Sequence, residues 1–333
     1  MTPHIERKQP NELKEPEPEH CPGPESENAG KGDACNGCAN QEICTSNILK
    51  GPDPDIPIIN ERLANISHKI LVLSGKGGVG KSTFTSMLSW AISTSDEDLE
   101  IGAMDLDICG PSLPKMLGVE GESIHNSNSG WTPVYVSDNL GLMSISFMLP
   151  DSDTAIIWRG NKKNGLIKNF LKDVNWGDHL DYLIVDTPPG TSDEHLSVVN
   201  YMKDVGIDGA LIVTTPQEVS LLDVRKEIDF CRKTGIKILG LVENMSGFVC
   251  PGCKKESLIF KPTTGGGKKL CEELNIPFLG SVPLDPRIGK CCDAGQNFFE
   301  DYSDSPAATA ILDVVDAIRD QVELDEAMDK LNI

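Results

Sequence analysis

Hydrophobic residues in this chain fall into short, unbroken runs divided by longer stretches of mixed character. Runs at 70–73, 101–104, 182–185, 209–214, 236–242 and 278–283 are bounded mainly by glycine, proline or aspartate and read as strands. Two more, 134–136 and 142–147, flank the turn signal Asp138-Asn139-Leu140-Gly141 and read as strands on either side of it. Between the runs, 84–92, 166–173 and 219–234 read as helices, and 307–331 is helical by pattern with an acidic face. Strand alternating with helix predicts an α/β fold with a doubly wound, mostly parallel sheet.

Residues 1–58 break this pattern. Pro, Glu, Gly and Asn dominate there, and the segment carries too little apolar surface to offset its ordering entropy. Its end, Gly51-Pro52-Asp53-Pro54-Asp55-Ile56-Pro57, reads as an extended linker. The expected organisation is a tail and linker over 1–58 and one α/β domain over 59–333.

The first strand leads into Gly75-Lys76-Gly77-Gly78-Val79-Gly80-Lys81-Ser82-Thr83, and a helical pattern follows. Strand, glycine loop and helix in that order, with the spacing G-x-x-x-x-G-K-[ST], is the setting of a phosphate-binding loop. Glycines let the backbone turn tightly and approach phosphate oxygens. The loop N–H groups and the new helix's N-terminus then face the anion. Lys81 is expected to pair with the β- and γ-phosphates of ATP, and the Ser82 hydroxyl to ligate Mg²⁺. Lys76 is a second cation, more than one β/γ pair requires.

Carboxylates stand where two strands end, the place at which open α/β sheets bind ligands. After the second strand comes Asp105-Leu106-Asp107, with Asp107 placed to orient the attacking water and sense the γ-phosphate, and Asp105 to support Mg²⁺ through water. The run at 182–185 ends in Asp186, followed by Thr187-Pro188-Pro189-Gly190; Asp186 fits the acid that holds magnesium, and the Gly190 N–H a γ-phosphate contact. Lys162 and Lys163, after Trp158-Arg159, face either the phosphates or solvent.

Eleven cysteines change the picture more than the overall composition does. Cys21, Cys35, Cys38 and Cys44 lie in the tail, where a metal centre is the evident way to order a segment without a core. One C-x2-C with single cysteines at unequal distances favours a [4Fe–4S] cluster over zinc, which usually takes two such knuckles. Cys250-Pro251-Gly252-Cys253 supplies only two thiols, with no further Cys or His close by. Two copies meeting on a twofold axis would complete a four-thiolate site. A redox pair, or a half knuckle completed by distant residues, are the other readings. Cys109, Cys231, Cys271, Cys291 and Cys292 read as structural or free thiols.

The net charge of −21 argues against a nucleic-acid partner. No run approaches a membrane span, and the first residues lack the apolar core of a signal peptide, so a cytoplasmic protein without a membrane partner is expected.

The loop KGGVGKST, together with DLDICGPS, DTPPGTSDEH, NMSGFVCPGC and the four-cysteine tail, resembles the Mrp/NUBP cluster-scaffold ATPases. These belong with the ParA, MinD, ArsA and nitrogenase iron proteins among deviant-Walker (SIMIBI) NTPases. The resemblance covers nearly the whole chain. It implies that Lys76 reaches across a dimer to the partner's nucleotide, as an arginine finger does. It also implies that Asn244 reads the adenine edge and that Pro283 and Asp285 line the base pocket. The implied cofactors are ATP, Mg²⁺, one [4Fe–4S] cluster in each tail and one shared between two chains. The implied assembly is a homodimer, or a heterotetramer with a shorter paralogue. Its clients would be cytosolic and nuclear apo iron–sulfur proteins and later cluster-targeting factors, which adds the nucleus as a second location. A partitioning or septum-placement ATPase, and a zinc-stabilised regulatory NTPase, are the alternatives.

Overall fold

The apolar runs become strands and the stretches between them become helices. The computed structural model describes residues 30–38, 41–45, 53–148, 160–250 and 252–331. Internal contacts divide the chain into two units, Met1–Ile56 and Pro57–Ile333. The described part of the first unit holds a 3-10 turn, Asp33–Cys35, and a short helix α1 (Gln41–Thr45), whose Gln41 amide donates to the Gly30 carbonyl at 3.2 Å.

From there the order is α2 (Ile56–Leu63), β1 (Ile66–Leu73), α3 (Lys81–Ser95), β2 (Ile101–Asp105), α4 (Leu113–Met116), β3 (His125–Ser127), β4 (Gly130–Thr132), β5 (Val134–Ser137) and β6 (Leu140–Ser144). Then follow α5 (Gly160–Asp173), β7 (Leu180–Asp186), α6 (Asp193–Met202), β8 (Gly209–Thr214), α7 (Glu218–Thr234), β9 (Ile238–Glu243), β10 (Phe248–Val249) and β11 (Glu256–Ser257). The chain closes with α8 (Gly266–Leu274), β12 (Phe278–Ser281), α9 (Pro286–Ala294), α10 (Phe298–Tyr302) and α11 (Pro306–Leu331).

Eight strands form one sheet in the order β12-β9-β8-β1-β7-β2-β6-β5. All neighbours are parallel except the edge pair β5–β6. Because side chains alternate along a strand, Ile70 and Val72 of β1 join one core with α3 and α11, while Leu71 and Leu73 join the other with α5, α6 and α7. Both faces are covered, which is why the central strands read as unbroken apolar runs. The parallel strands bring the carboxyl ends of β1, β2, β7, β8 and β9 to one edge, and the motif-bearing loops leave from there.

Two expectations are corrected. Ile56 and Pro57 begin α2 rather than ending an extended linker, and Ile59 and Leu63 bury its inner face. A proline without an N–H and with a fixed φ suits a first helical turn. The strand expected over 142–147 starts at Leu140 and stops at Ser144, where the chain turns into the 3-10 segment Ile145–Met148. The Ser144 hydroxyl accepts the Ser146 N–H at 3.4 Å, a local bond that competes with the ladder.

Candidate functional site

The phosphate loop is fixed by close approaches that only glycine permits. A Cβ on Gly75 would lie 2.5 Å from the Asp223 carbonyl carbon and 2.7 Å from the Val224 nitrogen of α7. Gly80 has φ +83°, caps α3, and has no room for a Cβ against the Asn244 amide. That amide donates to the Val79 carbonyl at 3.0 Å, and Val79 itself is buried. Gly77 and Gly78 are exposed, Lys76, Ser82 and Thr83 are half-buried, and the Ser74 hydroxyl donates to the Lys76 carbonyl at 3.2 Å.

Asp186 is the hub below the loop. Its Oδ2 lies 2.6 Å from Lys81 Nζ and accepts the Ser82 hydroxyl at 2.6 Å. Its Oδ1 accepts the Thr85 hydroxyl at 2.6 Å. Lys81 is 6% exposed and Asp186 not at all, so this charge pair is desolvated and held by hydrogen bonds at both ends. Thr85 was missed in the sequence, although it stands one helical turn after Lys81 on the same face.

Asp105 lies directly across from Asp186 in the β2–β7 register. Its carboxylate gathers the loop after β2, accepting N–H groups of Asp107 and Ser112 at 3.1 Å and Leu113 at 3.3 Å. Burial, then the Asp186 charge, push Asp105 up to about 8 against the pull of Lys81. Burial likewise raises Asp107, with Lys81 opposing and Asp186 adding to it. Gly190, expected to offer its N–H to a phosphate, donates it to the Ser74 carbonyl at 2.8 Å.

Between the loops after β2 and β7 opens a cleft of about 410 Å³, lined by residues 107–110, Pro188, Pro189, Ser192, Glu194 and Lys163 of α5. Lys163 pairs with Glu194 at 2.9 Å, so it faces neither bulk solvent nor a phosphate position alone. Trp158 and Arg159 lie outside the described residues.

At the far side of the loop, backbone bonds from Val282 to Glu243, Ser246 to Val282 and Leu284 to Gly247 hold Pro283 beside the segment that follows Asn244. Asp285 caps α9 and is engaged by Arg287, which donates to it from its backbone at 3.0 Å and its guanidinium at 2.6 Å. Burial works against the Asp285 carboxylate, but these Arg287 contacts outweigh it and hold the carboxyl below its usual range.

The segment after Asn244 runs on into the hairpin β10–β11. Cys250 is half-buried and Cys253 exposed at its tip; Pro251 lies outside the described residues. The Cys250 N–H donates to the Lys255 carbonyl at 3.1 Å, and the Lys254 N–H to the Cys250 carbonyl at 2.8 Å. Backbone N–H groups of Cys253 and Gly252 point at the Cys250 sulfur and lower its pKa, favouring the thiolate that a metal binds. Among the described residues no three Cys, His, Asp or Glu side chains gather into a metal cage. The structure therefore does not bring Cys35, Cys38 and Cys44 together as one, and Cys21 lies outside the described residues. Cys231, Cys271, Cys291 and Cys292 are buried, and burial raises all four thiols. Cys109 is exposed in the cleft.

The sequence profile of the NUBPL iron-transfer P-loop NTPases, of ParA type, matches residues 65–319. The chain is 75% identical over 310 residues to the cytosolic Fe-S cluster assembly factor NBP35 of Kluyveromyces lactis, covering 93% of this chain and 94% of that protein. It is 69% identical to the factor of the same name from Eremothecium gossypii, covering 93% and 92%. Among solved structures, the nucleotide-binding protein of Archaeoglobus fulgidus in complex with ADP is 36% identical, with a TM-score of 0.64 over 76% of this chain and 95% of that one. The Pyrococcus furiosus cell division ATPase MinD shares the fold, at 23% identity and a TM-score of 0.54 over 76% and 99%. A profile match over most of the chain and relatives this similar agree with the geometry of the loop: the chain is a P-loop ATPase of the NUBPL iron-transfer family.

Proposed function

We propose that this protein is an ATP-driven scaffold that assembles [4Fe–4S] clusters and passes them to apoproteins of the cytosol and nucleus. The observation that carries the reading is continuity. Asn244 is hydrogen-bonded to the phosphate loop at Val79, and the chain leaving Asn244 reaches the Cys250/Cys253 hairpin within a few residues. A change at the nucleotide therefore has a short mechanical route to the thiols.

The cluster is cargo. Cys250 and Cys253 supply half its thiolate ligands, and the same pair of a second copy, or of a shorter paralogue, supplies the rest. Lys81 binds the β- and γ-phosphates after leaving Asp186, and Asp107 orients the attacking water. Lys76 of the partner places a second cation on the transition-state charge. Ser82 Oγ and Asp186 Oδ2, 2.6 Å apart, are hard oxygen donors that fit Mg²⁺. When bound, that ion neutralises phosphate charge. Asn244, Pro283 and Asp285 stand on the side where the base lies. Cys21, Cys35, Cys38 and Cys44 are the thiols for a second cluster in the tail, through which no step of this cycle passes. Hydrolysis alters cargo release insofar as ATP binds the holding and releasing states differently.

Anaerobic reconstitution with iron and sulfide tests the reading. A broad absorbance near about 400 nm, from thiolate-bound iron, is expected in the full chain, with the hairpin's share lost in Cys250→Ala/Cys253→Ala. Transfer to an apoprotein should differ between ATP, a non-hydrolysable analogue and Lys81→Ala. Stoichiometric colourless zinc, or equal transfer in all three conditions, overturns it.

A further inference from the structure

The cleft beside the phosphate loop is bounded by both loops that carry the strand-end aspartates, and one side chain from outside them lines it between the two. Lys163, in the first turn of α5, has a side chain only 20% exposed. Its ammonium donates to Glu194 Oε1 at 2.9 Å, and the side chain shares the cleft wall with Cys109. Cys109 lies two residues after Asp107, in the loop leaving β2. Glu194, 12% exposed, opens α6 at the end of the loop leaving β7.

The contacts continue inward. Ser192 lines the same cleft, two residues before Glu194. The Ser192 hydroxyl lies 3.1 Å from Nδ1 of His195, and the Ser192 N–H donates to the same nitrogen at 3.2 Å. His195 is 1% exposed and packs edge-on against Phe230 with ring centroids 5.9 Å apart. The Lys163–Glu194 pair thus sits at the start of α6, next to Ser192, which is bonded to a buried ring that does not move freely. This side of the cleft is anchored and the other carries the loop of Asp107.

We propose that Lys163 is a positioning residue that ties the loop after β2 to the loop after β7, so that Asp107 is presented to the nucleotide only when the loop of Asp186 is in place. This rests on the reading of Asp107 given above. A solvated lysine at this point would be worth little. A largely desolvated one that is bonded to one loop and packed in the cleft against the other makes their two arrangements interdependent, which is the physical requirement for coupling. α5 itself contributes nothing else to the site among its described side chains. Its removal from the coupling should therefore leave nucleotide affinity largely intact and slow the step that needs both loops.

The test measures steady-state ATP hydrolysis and the melting midpoint of the full-length protein. Wild type is compared with Lys163→Met, Lys163→Arg, Glu194→Gln and the Lys163→Met/Glu194→Gln double variant. Lys163→Met should lower kcat about fivefold, in the range of coupling changes produced by linking residues, with KM for ATP within about twofold. Lys163→Arg should recover most of the rate. Adding Glu194→Gln to Lys163→Met should cost little more, because the pair acts as one unit. An unchanged kcat in Lys163→Met overturns the proposal. So does a change confined to KM, or an arginine variant no faster than the methionine one at equal melting midpoint. Lys81→Ala in the same assay reports on the site itself: full hydrolysis there would unseat the nucleotide reading, whatever Lys163 does.

Discussion

The phosphate loop and the cysteine hairpin are joined through the segment after Asn244, yet they are built in opposite ways. The loop is wedged against α7, bonded to Asn244 and underlain by a buried lysine–aspartate pair. The hairpin is exposed at its tip, two residues long in each strand, and offers two thiols with no third ligand gathered beside them among the described residues. A loop packed this tightly holds its shape while substrate comes and goes. A site half built can be closed and opened by a partner, which suits a cargo that must leave. The difference teaches where to expect rigidity: substitutions at the loop should damage the fold, and substitutions at the hairpin should not.

The sharpest probe of that contrast is Gly75→Ala. The new Cβ meets backbone atoms of α7 at 2.5 and 2.7 Å, and backbone cannot swing aside as a side chain can. Overpacking of this kind costs about 3 kcal/mol, read as a lower denaturant midpoint at unchanged slope. Gly77→Ala is the internal control. Nothing lies within 4 Å of its Cβ position, so its cost should stay below about 0.5 kcal/mol. Equal midpoints for the two variants would mean that the loop is not wedged at all.

Much of this arrangement was legible from residue pattern, for identifiable reasons. Glycine spacing, an apolar run before it and an aspartate at each of two strand ends are local signals, and the structure puts all three at one sheet edge. What could not be read depends on pairs far apart in the chain. Asn244 and Val79 are separated by 165 residues, Lys163 and Glu194 by 31. No periodicity reports such contacts. A carboxylate at a strand end signals ligand chemistry and loop organisation equally well, and the part Asp105 plays in holding its loop shows only in its three backbone donors. Pro57 misled because proline favours both an extended linker and a first helical turn. Helix α6 went unseen because its opening residues, Asp193, Glu194 and His195, are polar and begin inside a motif read for its chemistry.

A second probe uses the helix against which the loop is wedged. Glu227 of α7 is fully buried, and neither carboxyl oxygen has a hydrogen-bond partner among the described residues. Burial, then the charge of Asp223, push its pKa from 4.5 to about 7. The folded protein thus keeps a proton that the unfolded chain releases. The stability this brings is fully present below about pH 4.5 and is lost as pH rises through about 7. Glu227→Met removes the group at similar volume. Its gain in stability over wild type should be about 2 kcal/mol at pH 8 and shrink toward pH 5. A gain that is constant with pH would show that Glu227 does not titrate in the fold, and that the interior behind the loop is wetter than its burial indicates.

The smallest expected effect completes the contrast from the other side. In metal-free protein, Cys250→Ser/Cys253→Ser should move the melting midpoint by less than about 2 °C, because a half-buried and an exposed position outside a packed core contribute little to stability. The hydroxyls can still receive the backbone N–H groups of Cys253 and Gly252 that the Cys250 sulfur receives. The hairpin's own bonds, Cys250 N–H to Lys255 and Lys254 N–H to the Cys250 carbonyl, involve no sulfur. With iron and sulfide present the two proteins should part: the wild type should gain in midpoint through cluster binding at the folded hairpin, and the serine pair should not share that part of the gain. A large loss of stability in the metal-free variant would make these thiols elements of the fold, and the opposition between a wedged phosphate loop and an unfinished cargo site would dissolve.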